Sequence, residues 1–202
     1  MERTIEGFLA ALASPAPAPG GGGAAALTGA LGIALGNMVG NLTLGKKKYA
    51  AVEEELLALN AEAEKLRDEL LELIDEDARA FLPLSRAYAI PRDDPERGKI
   101  MEEALLRAVR PPMEVMGKCA RALELISLYG EKGSALAISD AGCAAALALA
   151  AMKAAALNVK INTKSMADRD TALELNGEAD RLLALYGRTA EKIYQNITGR
   201  LV

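Results

Sequence analysis

Between Pro19 and Gly45 the chain carries no charged residue. The stretch opens with four successive glycines, Gly20 to Gly23, and continues through small and apolar side chains. Gly32, Gly36 and Gly40 recur every four residues, so on a helix they share one face. Such a stripe lets two helix backbones come very close. A helix without charge has no solvated face and needs partners all round, at a bundle centre or across a homodimer interface. The run is long enough to span a bilayer. Alanine and glycine carry little insertion drive, however, and Asn37, Asn41 and Thr43 are polar. No aromatic belt flanks the run. Burial within protein is therefore expected, with no membrane partner.

The remaining sequence is helical in pattern. Alanine and leucine dominate, both strong helix formers. Helices are expected over Glu2 to Ala13, Ala24 to about Leu44, and Tyr49 to about Ala89. More follow over Glu96 to about Tyr129, Ser134 to about Val159, and Asp168 to about Thr198. Pro111 and Pro112 should interrupt or kink the fourth. The run Ile90 to Pro95 breaks the chain but is too short to divide it. A chain of 202 residues can bury one good core. The expectation is one all-α domain over residues 1–202, an antiparallel up-and-down bundle of about six helices. Two uncharged helices exceed the interior of one small bundle, which points to a homodimer.

The chain has no histidine. That excludes a Ser-His-Asp or Cys-His arrangement and the usual histidine zinc sites. Acid–base chemistry near neutrality must come from carboxylates, lysine, tyrosine, cysteine or the substrate. The net charge of −4 gives no general support to nucleic-acid binding. Cys119 and Cys143 lack metal-ligand spacing, and no signal-peptide pattern precedes the first helical segment. Reduced thiols and a cytoplasmic location are expected.

Several polar residues are candidates for chemistry. Gly20, Gly21 and Gly22 allow close approach of backbone amides to a ligand. Lys46, Lys47 and Lys48 close the uncharged helix, where they complement its dipole or attract carboxylates and phosphates. Their GKKK order is not a Walker motif. Asp140 is the one charge in the run Ser134 to Met152. A lone buried carboxylate needs a partner, so it serves either structure or chemistry. In Asp75, Glu76 and Asp77, helical phase turns Asp75 toward Arg79 and Asp77 well away. A solvated acidic patch is the bland alternative. Asn158 and Asn162 flank the segment NVKIN at the end of the second uncharged helix.

Taken in order, PAPGGG (17–22), GNMVGNLTLGKKKY (36–49), IDEDARAF (74–81), PPMEV (111–115), ISD (138–140) and NVKIN (158–162) resemble the cyclodeaminase/cyclohydrolase family of folate enzymes. The C-terminal domain of formiminotransferase-cyclodeaminase is its best-known member. The resemblance covers most of the chain. It implies an up-and-down bundle that pairs as a homodimer and acts on a reduced folate, with or without a polyglutamate tail. The first activity it implies is conversion of 5-formiminotetrahydrofolate to 5,10-methenyltetrahydrofolate and ammonia. Hydrolysis of the methenyl compound to 10-formyltetrahydrofolate is the alternative, and a non-catalytic dimerisation module is an alternative of another class. No metal and no cofactor beyond the tetrahydrofolate substrate are implied.

The resemblance also distributes roles. Asp75 matches the first acid of the family's D-x-D-A motif and is the first choice for the catalytic carboxylate, with Asp77 second. Asp140 would orient the pterin or pair with a lysine. Gly20 to Gly23 would meet the ligand through backbone amides, with Asn158 and Asn162 as further binding candidates. Lys46 to Lys48 would attract the glutamate tail. Related sequences often carry Asn where this chain has Ser134, a departure that bears on affinity or substrate preference. A formiminotransferase segment does not accompany these motifs, so formimino-folate would come from a separate formiminotransferase, or the substrate differs.

Overall fold

A computed structural model describes residues 4–201 of the chain. These form seven α-helices: α1 Ile5–Leu12, α2 Gly21–Asn41, α3 Glu53–Tyr88, α4 Arg97–Ala108, α5 Arg110–Lys132, α6 Ile138–Lys164 and α7 Arg169–Thr198. Short 3-10 helices, Lys47–Val52 and Ala135–Ala137, lead into α3 and α6. No strand occurs among the described residues. The all-α bundle expected from the sequence is observed.

Three boundaries differ from the sequence reading, and each has a physical reason. The expected fourth helix is divided into α4 and α5 around Val109. Pro111 and Pro112 lack the N–H groups that would continue α4, and they sit at the start of α5, where a missing donor costs nothing. α2 begins at Gly21 rather than Ala24, so the glycines form its first turn. α6 runs on to Lys164, because buried Val159 and Thr163 keep its inner face packed. The expected start of the first helix at Glu2 lies outside the described residues.

α2 packs most extensively against α6 and α3, and then against α5. Its glycines explain how. A Cβ at Gly32 would press to 3.1 Å on the Ala144 carbonyl oxygen and the Ala148 amide nitrogen of α6. One at Gly36 would press on Ile126 and Tyr129 of α5, and one at Gly29 on the Cys119 sulfur at 2.7 Å. α6 is lined with buried alanines, Ala141, Ala144, Ala145, Ala148, Ala151 and Ala155, and sets Ala144 and Ala148 against Gly32. Gly21 lies against Asn158 and Gly32 against Ala144 and Ala148, so the two helices run antiparallel.

The glycine stripe is therefore spent inside the protomer. The opposite face of α2 is open, with Leu31 51%, Met38 38% and Leu42 49% exposed. Of the two placements expected for this helix, the glycine face takes the one at the bundle centre. Two helices, Gly21–Asn41 and Ala135–Lys164, are long and apolar enough to cross a membrane, and both are core helices of the bundle.

A polar network fastens the C-terminal end of α2. Tyr129 OH donates to Asn60 Oδ1 at 2.9 Å, and Asn60 Nδ2 donates to Asn41 Oδ1 at 2.8 Å. The Ser134 N–H donates to Thr43 Oγ1 at 2.7 Å, and Lys46 Nζ donates to Ser134 Oγ at 3.1 Å. Burial pushes the Tyr129 phenol up to about 12, so it stays a neutral donor.

Candidate functional site

The site forms where the N-terminus of α2 meets α3 and the C-terminal part of α6. Gly20 precedes α2 in an extended conformation, and no side chain caps the helix. The amides of a helix's first turn have no intrahelical acceptor. One of them, the Gly23 N–H, donates to Asp77 Oδ2 at 3.0 Å. Gly22 lies directly beneath the Asp77 carboxylate, and a Cβ there would overlap it. Gly21 faces the Asn158 amide, with 3.0 Å between that nitrogen and the position a Cβ would take. The four glycines thus bring helix backbone, carboxylate and carboxamide together with no intervening side chain.

Both asparagines are held from behind. Asn158 Nδ2 donates to the Ala154 carbonyl at 2.8 Å, and Asn162 Nδ2 donates to the Ala108 carbonyl at 3.1 Å. Their spacing of four residues stacks them on one face of α6. With Gly20, Gly21, Gly22, Asp77 and Phe81 they line a cavity of about 200 Å³, and Pro17, Ala18, Ala108 and Ile161 complete its wall.

Desolvation raises the pKa of Asp77 above the ordinary carboxylate value, and the Gly23 N–H offsets part of the rise. A carboxylate placed this way is poised to take and return a proton.

The structure brings Gly20, Gly21, Gly22, Asp77, Asn158 and Asn162 together. Asp75, Asp140 and Lys46 to Lys48 lie elsewhere. Asp75 is two residues from Asp77, about 200° round the helix. It lines another cleft, of about 360 Å³, with Ile5, Phe8, Leu27 and Leu71. Asp140 is half-buried in the first turn of α6, where a carboxylate complements the dipole. It is about 27 Å along that helix from Asn158, at 1.5 Å per residue. The lysines follow the far end of α2, about 30 Å from Gly20 on the same rise. Phe81 is a further lining residue to which the sequence alone assigns no role. Its spacing of four from Asp77 was the available signal.

An all-helical bundle with a glycine-floored, carboxylate-bearing cavity defines a class of small-molecule site rather than a structural spacer. Comparison with known proteins gives the family. The family model described as formiminotransferase-cyclodeaminase matches residues 4–181, and the chain belongs to that family. The chain is 43% identical over 202 residues to a methenyltetrahydrofolate cyclohydrolase of Methylorubrum extorquens, covering 98% of this chain and 97% of that one. It is 30% identical to the formimidoyltransferase-cyclodeaminase of Gallus gallus, covering 90% of this chain but 34% of that longer protein.

A crystal structure of formiminotetrahydrofolate cyclodeaminase from Thermotoga maritima superposes with a TM-score of 0.85 at 28% identity, covering 97% of this chain and 98% of that one. The chain is thus a folate one-carbon enzyme of the cyclodeaminase/cyclohydrolase type, not a non-catalytic module.

Proposed function

We propose that the chain hydrolyses 5,10-methenyltetrahydrofolate to 10-formyltetrahydrofolate. The observation that carries this reading is the 43% identity with the Methylorubrum extorquens cyclohydrolase over nearly the whole of both chains. The cavity chemistry supports it. The methenyl bridge is a cation shared by N5, the bridging carbon and N10. The Asp77 carboxylate stabilises that charge and takes a proton from water as the oxygen bonds to the carbon. The adduct is neutral. Its C–N5 bond then breaks, N5 gains a proton, the hydroxyl loses its own, and a formyl group remains on N10. One proton in total leaves to solvent.

Asp77 Oδ2 stays with the Gly23 N–H, and Oδ1 carries the proton. Asn158 and Asn162 hold the polar edge of the pterin, and Phe81 packs on its ring. Amides of the first turn of α2 take the substrate's acceptor atoms. In this assignment Asp77, rather than Asp75, transfers the proton, because it alone of the two lines the glycine cavity.

The cyclodeaminase reaction is the second reading, favoured by the Thermotoga maritima structure, which matches over nearly its full length. There N10 attacks the formimino carbon and ammonia leaves. Incubation with each folate separates the two. The cyclohydrolase consumes methenyl absorbance faster than the buffer alone and releases no ammonia from formimino-folate. Growth of methenyl absorbance with release of ammonia would decide for the cyclodeaminase.

A further inference from the structure

We infer that Pro112 is a positioning residue for the cavity: it frees the Ala108 carbonyl from its helix, and that carbonyl locks the Asn162 side chain with its oxygen left for the ligand. The inference rests on the reading of the cavity as the folate site and adds a residue that does not line it.

The chain from α4 to α5 is close to one continuous helix. Val109, between the two, has helical dihedrals, φ −80° and ψ −20°. The Val109 N–H donates to the Leu105 carbonyl at 3.0 Å, and the Met113 N–H donates to the Val109 carbonyl at 3.3 Å. Both bonds span four residues, the helical pattern. Two carbonyls inside this stretch have no such donor. Arg107 would need the N–H of residue 111 and Ala108 that of residue 112, and both residues are proline. A proline ring also clashes with the carbonyl four residues before it, which pushes that carbonyl off the helix axis.

Ala108 uses this freedom. Its carbonyl accepts from Asn162 Nδ2 of α6 at 3.1 Å. Ala108 and Asn162 both line the cavity. A carbonyl only accepts, so the carboxamide must present its nitrogen to Ala108 and turn Oδ1 away. Asn158 is fixed in the same sense by the Ala154 carbonyl at 2.8 Å. Each asparagine therefore keeps a carboxamide oxygen for the ligand. With Asp77 they make a wall rich in acceptors. Such a wall suits a substrate edge of N–H donors, as the amino group and ring N–H of a pterin provide.

An asparagine on a helix has a competing acceptor, the carbonyl four residues earlier, and Asn158 takes it. Asn162 reaches across to α4 instead. α4 is fastened to this region at a second point. Glu102 accepts the Ala167 N–H at 2.6 Å and the Asp168 N–H at 3.1 Å, just beyond the end of α6. Pro112 thus acts on the ligand through one carbonyl and one carboxamide.

Pro112→Ala returns an N–H to the Ala108 carbonyl and draws it back into the helix. One hydrogen bond is worth roughly two- to tenfold in affinity. KM for 5,10-methenyltetrahydrofolate should rise by about that factor, with kcat nearly unchanged. Pro111→Ala is the structural comparison. It restores a donor to the Arg107 carbonyl instead, and Arg107 does not line the cavity, so KM should stay near wild type. Combined with Asn162→Ala, Pro112→Ala should add nothing further. A wild-type KM in Pro112→Ala, equal rises in the two proline variants, or additive effects with Asn162→Ala would overturn the inference.

A second readout needs no substrate. The side-chain amide signal of Asn162, assigned by nuclear magnetic resonance from its loss in Asn162→Ala, should exchange hydrogen faster in Pro112→Ala than in wild type or Pro111→Ala. Unchanged exchange would overturn the positioning role. If wild type turns over neither methenyl- nor formimino-folate while the exchange responds as expected, the folate reading fails and the positioning stands.

Discussion

Asp77 Oδ2 accepts the backbone N–H of Gly23 at 3.0 Å, joining α3 to the first turn of α2 across 54 residues of sequence. This bond fixes one oxygen of a desolvated carboxylate over a floor of glycine. It explains why the uncharged segment begins with glycines: at Gly22 any side chain would occupy the carboxylate's place.

Gly22→Ala should therefore displace Asp77. The expected loss in kcat/KM is at least about tenfold, ~1.4 kcal/mol in barrier. Gly177→Ala is the matched control, since nothing lies within 4 Å of a Cβ there and Gly177, on α7, does not line the cavity. Steady-state kinetics on both variants check this, and equal losses would contradict it.

The Asp77 environment predicts a pH dependence. The base form is needed, so turnover should fall as pH drops through its pKa, which burial raises from the ordinary carboxylate value. Asp77→Asn should abolish that limb. Stability follows with the opposite sense. A raised folded-state pKa means the native state binds the proton more readily than the unfolded chain does. Its stabilising contribution is present at low pH and is lost as pH rises through the raised value. Asp77→Asn should then melt at or above the wild-type temperature at neutral pH, and that advantage should vanish in acid. Thermal melts across pH check the sign.

The network beneath the far end of α2 predicts a structural effect. Tyr129→Phe removes the donor to Asn60 Oδ1, which is 2.9 Å away in a residue only 5% exposed. A buried acceptor left unpaired costs about 1–3 kcal/mol. Denaturant melts should show that loss with an unchanged slope, while KM for the folate stays near wild type.

Much of the fold is legible in the sequence because the signals are local. Leu56, Leu59, Leu66, Leu70 and Leu73 mark the inner face of α3 by spacing alone, and all are buried. The double proline marks the α4–α5 break. The role of the glycines was harder to read. Periodicity says that Gly32, Gly36 and Gly40 share a face, but only the packed structure says that α5, α6 and Asn60 of α3 occupy it. The site shows the same limit. Helical phase separates Asp75 from Asp77 on the page, yet it does not say which of the two sides faces the glycine cavity. The lysines and the glycine arm are neighbours in sequence but opposite ends of one rigid helix in space.

The most direct test compares Asp77→Asn and Asp75→Asn side by side in turnover of 5,10-methenyltetrahydrofolate. A proton-transferring carboxylate contributes about a hundredfold or more, so Asp77→Asn should lower kcat by at least that factor. Asp75→Asn should stay within a few-fold of wild type. A collapse of activity in Asp75→Asn, with Asp77→Asn nearly unaffected, would contradict the assignment of the site to the glycine cavity.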